Sequence, residues 1–349
     1  MGKNKYKHLL VIRLSAMGDV AMTVPVLSAL TAQHPDLKIT VLTRAFFSPM
    51  FSTLSNVHVY EADVDGKHKG IRGLWRLFKE LKTLRIDAVA DLHNVLRSSI
   101  LKGFFVSTNI PVVQIDKGRK EKRALTAYKN KVFKPLKTTF QRYTDVFYKL
   151  GFPINLETAR ALSKRVLPER VLELAGSDSQ KWLGIAPFAA YPGKTYPFSL
   201  MQEVILSLND TNKYRIIFFG GGELEKKQLQ QWSDSCQNCI NTIDTLSFEE
   251  ELALISNLDL MVSMDSGNGH LAAIFSVPTI TLWGVTHPYA GFSPFRQEPE
   301  NSLLSDRTKY PLIPTSIYGN TMPEGYDSVM STIAPETIIN RITALLEAK

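Results

Sequence analysis

The sequence predicts an α/β protein built from doubly wound parallel sheets in two domains. Short apolar runs of strand length recur along the 349 residues, each followed by a small polar turn and a helix-like segment, the alternation that builds βαβ units. Four of these turns carry glycines, carboxylates or a lysine just past the apolar run, where open parallel sheets bind ligands. The same grammar restarts in the second half, and a chain of this length has room for two domains with good cores.

In chain order, residues 9–12 read as a buried first strand, then RLSAMGD (13–19), then an apolar-periodic helix over 20–33. The turn lacks the three glycines of the dinucleotide fingerprint. Asp19 stands at the helix start, either as an acid favoured by the helix dipole or as a base directed at a ligand. Strands follow at 38–43 and 57–60, an amphipathic helix at 71–84, and a strand at 86–92 that runs into His93, Asn94 and Arg97. A short strand at 111–115 precedes KGRKEKRALTAYKNKVFKPLK (117–137), which holds nine basic side chains and one acid, Glu121. This segment is either a solvated loop or a surface for a phosphorylated glycan or an anionic membrane face. A helix at 140–150 closes a first doubly wound domain.

Gly151, Pro153, Pro168 and Gly176 place the interdomain connection over 151–178. The second half opens with a strand at 182–186 that ends in PFAAYPGK (187–194). Ser199 is the expected N-cap of a helix through 208. A strand at 214–219 lands in Gly220, Gly221, Gly222 and Glu223. The third glycine of a dinucleotide fingerprint would fall at 225, where Glu225 stands, so a hydride-transfer cofactor is disfavoured at both candidate loops. Glu223 fits two roles, a helix-start acid or a carboxylate bridging ribose hydroxyls. Ser247 and Glu250 form a capping-box pattern for a helix to 256.

The central stretch is LDLMVSMDSGNGHLAAIFSVPTITLW (258–283): strand, turn, helix, strand. Asp265 can accept from sugar hydroxyls, His270 can donate to an anion, and Gly267 and Gly269 let backbone approach a bound group. The competing reading is a helix N-cap at Asp265 or Ser266 with an incidental histidine. After 283 the chain is irregular to about 331, and Pro335 opens a final helix through 346.

Composition bounds the partners. Hydrophobic residues make up 44% and charged residues 21%, as in ordinary globular proteins, and no apolar run reaches the length of a membrane span. Arg13 interrupts the first apolar run, which argues against a signal peptide, and Tyr6 argues against acylation at Gly2. The net charge of +8 suggests an anionic partner, but no nucleic-acid module accompanies it. The lone pair Cys236 and Cys239 fills only half a zinc site, so a reduced pair without function is expected.

Over nearly its whole length the chain resembles glycosyltransferase family 9, the ADP-heptose:lipopolysaccharide heptosyltransferases. The resemblance rests on VIRLSAMGDVAMTVPVLSAL, DLHNVLRS, FGGGELE and DSGNGHLAAIFSVPTITLWG. It implies a GT-B fold, with a first Rossmann-like, acceptor-binding domain (1–165) facing a second, donor-binding one (166–334) across a cleft. A final helix (335–349) would pack back on the first domain. It further implies inverting, metal-independent transfer from an ADP-sugar, used as a co-substrate with no cofactor. Asp19 would be the base, with Ser15, Gly18, His93 and Arg97 on the acceptor side. Lys194 would contact the donor phosphates, Glu223 the ribose, and Asp265, Ser266, Gly267 and His270 the sugar and diphosphate. The implied acceptor is inner-core lipopolysaccharide or a related glycolipid, and the implied location the cytoplasm, with peripheral contact to the inner membrane. Ala189–Ala190 depart from the Ser or Thr common before the phosphate lysine, and Asn268–Gly269 from the commoner Pro–Met pair. Another transferase or epimerase of this fold using UDP-sugars, or a non-catalytic glycan- or nucleotide-binding protein, would share much of the pattern.

Overall fold

The structure, a computed structural model, describes residues 5–176 and 180–347; Gly2 and Asp178, weighed above, lie outside them. The elements follow in order as β1 (His8–Ile12), α1 (Met17–Ala21), α2 (Thr23–Gln33), β2 (Lys38–Thr43), β3 (Val57–Glu61), α3 (Gly70–Lys82), β4 (Ala88–Asp91), α4 (Leu96–Val106), β5 (Val112–Gln114), α5 (Arg119–Leu125) and α6 (Thr139–Lys149). Then come α7 (Glu169–Ala175), β6 (Lys181–Ala186), α8 (Phe198–Asp210), β7 (Tyr214–Phe218), α9 (Glu223–Ser235), β8 (Cys239–Asn241), α10 (Phe248–Asn257), β9 (Leu260–Met264), α11 (Gly267–Ile274), β10 (Thr279–Trp283), β11 (Ser302–Leu304) and α12 (Pro335–Glu347).

The chain divides into two compact units, Met1–Lys117 with Thr139–Leu162, and Gly118–Thr138 with Ser163–Lys349. The first holds a parallel sheet in the order β3-β2-β1-β4-β5, the second a parallel sheet in the order β11-β10-β9-β6-β7-β8. Each sheet starts in the middle and winds outward both ways. The direction reverses between β1 and β4 in the first and between β6 and β9 in the second, and at such switch points helices diverge and leave room for a ligand.

The local sequence explains the elements. All five residues of β1 are buried, as a central strand covered on both faces requires. Helix α3 buries Leu74, Leu77, Phe78 and Leu81 in the first unit's core and turns its other face to solvent. In α10 the capping box forms as its sequence predicts, with Glu250 Oε2 accepting from the Ser247 amide at 2.7 Å.

Several expectations are corrected. The helix expected over 20–33 is two helices, α1 and α2. Pro25 falls in the first turn of α2, where its missing N–H costs nothing. Ser199 is not a cap: α8 starts two residues earlier than such a cap implies, with Pro197 in the cap position. Strands β8 and β11 were not foreseen: each is three residues long and, unlike β5 with its paired valines, carries no β-branched run.

The basic segment departs furthest from expectation, clustering with the second unit instead of the first-half domain. The Lys122 ammonium lies 4.2 Å from the Phe292 ring centroid, and the Arg307 guanidinium 3.5 Å from that of Phe133. Lys131 Nζ donates to the Leu125 and Pro314 carbonyls at 2.8 and 2.7 Å. Burial, and then the Arg307 charge, bring this lysine down to about 8. Helix α12 also packs within the second unit. Ile338, Ile342 and Leu346 join its core, and Glu347 accepts from Lys213 and from the Tyr214 hydroxyl. Its apolar stripe is used there, where the sequence reading had placed it on the first domain.

Candidate active site

In the first unit, the carboxyl ends of β1 and β4 meet at the switch point, with Ile12 paired to Asp91. Arg13 follows β1 directly and is buried. Its guanidinium pairs with Asp19 in α1 and donates to the Leu92 carbonyl at 2.6 Å. The buried Tyr143 hydroxyl donates to the Asp19 carbonyl at 3.1 Å. The Asp19 carboxylate is thus held by Arg13 and its backbone by Tyr143, while the side chain remains 28% exposed, as a group that meets a ligand must be.

Asp91, fully buried, organises the second loop. One carboxylate oxygen accepts from the amides of His93 and Asn94 at 2.9 Å, the other from Gln114 at 2.8 Å. Asn94 is left-handed (φ 46°), and this bend turns the chain into α4. The loop brings His93 Nε2 within 3.4 Å of Ser15 Oγ. Burial, followed by the charges of Arg13, Lys117, Arg97 and Arg44, pushes the His93 imidazole down to about 3. The ring is therefore neutral near pH 7, serves as a hydrogen-bonding group, and is too weak a base to compete with a carboxylate for a proton.

In the second unit, the loop after β6 ends in a short 3-10 turn, Pro192–Lys194. Gly193 is held by the Val285 amide, which donates to its carbonyl at 2.9 Å. Lys194 Nζ reaches Asp265 Oδ2, beyond β9, at 3.0 Å, with the two side chains only 13% and 10% exposed. The aliphatic part of Lys194 lies against Gly319, which has φ +85° and whose amide donates to Ser316 Oγ at 2.9 Å. A side chain at 319 would collide with Lys194.

Next to this pair, Ser266 occupies the N-cap position of α11, but its hydroxyl makes no capping bond and is buried without a partner among the described residues. Amides in the first turn of α11 are thus not taken by a side-chain cap, the condition under which a helix start receives an anion. His270, in the same helix, is buried. Gly269, expected to open space for a ligand, faces the sheet instead: a Cβ there would stand 2.6 Å from Ser263 Oγ. Among the described residues no three His, Cys, Asp or Glu side chains converge as metal ligands would.

A family model described as glycosyltransferase family 9 (heptosyltransferase) matches residues 74–312, more than half of the chain. The chain belongs to this family. As a family 9 glycosyltransferase, it is 25% identical over 303 residues to the lipopolysaccharide core heptosyltransferase OpsX of Haemophilus influenzae, covering 85% of this chain and 83% of that one. Its fold is GT-B. The glycosyl transferase family 9 structure from Veillonella parvula superposes with a TM-score of 0.76 at 20% identity, covering 99% and 98% of the two chains. The structure of E. coli heptosyltransferase WaaC with ADP superposes with a TM-score of 0.64 at 18% identity, covering 97% and 99%.

Against the expected residues, the glycosyltransferase brings Ser15 and His93 together at one switch point, beside the Arg13–Asp19 pair, with Gly18 in the first turn of α1. Arg97 is nearby in charge, but its guanidinium turns to Asp65 at 3.7 Å. At the other switch point Lys194 and Asp265 are in contact, and Ser266, Gly267 and His270 start the adjoining helix. Glu223 opens α9 beyond β7, on the other side of β6, and is exposed. Its neighbour Glu225 is spent on the glycine turn, accepting from the Gly221 amide at 2.9 Å. The sequence reading missed Arg13, Asp91 and the Ser316–Gly319 turn. A charged residue directly after β1, and one closing the otherwise apolar β4, were the available signals for the first two; nothing local marks the third.

Proposed function

We propose that this glycosyltransferase transfers heptose from ADP-heptose to a hydroxyl of a lipopolysaccharide-core acceptor with inversion at the anomeric carbon. The observation that carries the donor side is the Lys194–Asp265 contact beside the uncapped start of α11. An ammonium and free helix amides at one switch point suit a diphosphate, whose negative charge grows as it leaves. In this reading Lys194, Ser266, Gly267 and His270 receive the diphosphate, Asp265 orients the lysine and the sugar, and Glu223 holds the ribose hydroxyls. On the acceptor side, Asp19 removes the hydroxyl proton while the oxygen attacks the anomeric carbon opposite the departing ADP. Arg13 keeps the carboxylate in place and Tyr143 the backbone that carries it, and Ser15, Gly18, His93 and Arg97 line the acceptor. The charge on the leaving group is met by the chain's own donors, so the scheme is written without a metal.

The relatives support this assignment: OpsX is a lipopolysaccharide core heptosyltransferase and WaaC was solved with ADP. The deciding experiment incubates the enzyme with ADP-heptose or a UDP-sugar and a heptose-free core acceptor, and reads product mass and anomeric configuration by NMR. Product formed only from ADP-heptose, with inverted configuration, is expected. Transfer from UDP-sugars alone, or retention, would overturn the reading.

A further inference from the structure

The outer face of α3 in the first unit combines features that its fold does not use. The helix buries Leu74, Leu77, Phe78 and Leu81, while Ile71, Arg72, Trp75, Arg76, Lys79 and Lys82 face outward. At 100° per residue these six positions fall on one arc of about 140°. Ile71 is 67% exposed and Trp75 42%, although both are large apolar side chains. Trp75 packs edge-on against Phe104 of α4, with ring centroids 5.0 Å apart, so its ring is held outward on a firm base. The helix has a single acid, Glu80, and it is engaged with Lys67, His68 and the Tyr60 hydroxyl. Arg72, Arg76 and Lys82 have no acidic partner within 4 Å among the described residues.

We infer that this face of α3 docks on an anionic lipid bilayer surface, with Trp75 and Ile71 entering the headgroup region and the four cations contacting lipid phosphates. An aromatic and an aliphatic side chain ringed by Lys and Arg on a helix lying flat is the composition that interfacial binding requires. Aromatic burial alone favours any apolar partner; the unopposed cations select a surface of negative charge. The inference does not depend on the sugar-transfer reading, because a bilayer without acceptor suffices to test it.

The protein supplies its own probe. Of its four tryptophans, Trp182, Trp232 and Trp283 are at most 9% exposed, so a change in emission on vesicle binding reports Trp75. The full-length enzyme is mixed with vesicles of phosphatidylcholine alone or with added phosphatidylglycerol, and sedimentation and emission are recorded. Expected are co-sedimentation and a blue shift with the anionic vesicles only, quenching by lipids brominated near the headgroup, and loss of the shift in Trp75→Phe. The double variant Arg72→Glu/Arg76→Glu should bind anionic vesicles roughly tenfold or more weakly and keep the wild-type melting temperature. Lys120→Glu/Arg123→Glu, on the second unit, should bind like wild type. No sedimentation with anionic vesicles, binding unaffected by the α3 charge reversals, or sedimentation without any change at Trp75 would each overturn the inference.

Discussion

At the scale of single residues, Asp19 and His93 carry the tests of the proposed acceptor half. Asp19 is partly exposed and held by Arg13, so Asp19→Asn keeps the shape while removing the charge that takes the proton in the proposed mechanism. General-base assistance is worth about 10²–10⁴ in rate, and kcat should fall by that order with ADP affinity unchanged by calorimetry. Transfer within a few-fold of wild type would leave Asp19 as a mere partner of Arg13. His93, the titratable side chain of the neighbouring loop, has a depressed pKa that speaks against it as the base. The same shift has a stability consequence. An unfolded histidine takes its proton near 6.5 and the folded one only near 3, so the unfolded state binds more protons between those values. The contribution of His93 to stability is therefore complete above about pH 6.5 and is lost as pH falls toward 3. His93→Gln should flatten that acid limb in urea unfolding measured across the range; an unchanged slope would contradict the burial effect.

At the scale of elements, the proposed donor half depends on turns that meet only in the fold. Gly319, from the irregular stretch after β11, supports the Lys194 side chain with a left-handed backbone. Gly319→Ala should displace Lys194 and also strain the turn by about 1 kcal/mol. ADP binding should weaken in the same direction as in Lys194→Ala, where loss of a charged hydrogen bond costs about 1–3 kcal/mol. Calorimetry showing wild-type affinity for both variants would remove Lys194 from the site. The basic segment carries a different expectation. Lys122 is buried on Phe292, so Lys122→Ala should destabilise the enzyme by about 1–2 kcal/mol in urea, whereas the exposed Lys120→Ala should stay within about 0.5 kcal/mol. Equal effects would mean that the segment is not docked as the structure has it.

At the scale of the whole molecule, the chain passes between the two units three times, at 117–118, 138–139 and 162–163. The residues proposed to bind the donor all lie in the second unit, and the Arg13–Asp19 and Ser15–His93 groups in the first. ADP alone should therefore slow amide exchange around 191–194, 220–223 and 265–270 and leave 13–19 and 91–97 as they are. It should raise the melting temperature, by an amount set by its concentration over Kd, and UDP or GDP should do so less. Protection confined to the first unit would reverse the assignment of donor and acceptor sides.

The sequence by itself determined the α/β class, most strands and helices, and the loops on which the site is built. Those features are local: apolar run length, glycine turns and a capping box can be read within about ten residues. It also marked Asp19, Lys194 and Asp265, because a polar residue past a buried strand stands out against its neighbours. What the sequence did not reveal is which distant groups complete them. Arg13 is six residues from Asp19, Lys194 and Asp265 are 71 apart, and Gly319 is further still; strand order and packing bring them together, and no periodicity encodes it. The placement of 118–138 and of α12 was decided in the same way. A basic run looks solvated in sequence, yet its aliphatic stems, Phe133 and the carbonyls that receive Lys131 gain more by burial on the second unit. An amphipathic terminal helix states that it will pack, and only the tertiary structure, by offering α8 and the edge of Tyr214, settled where.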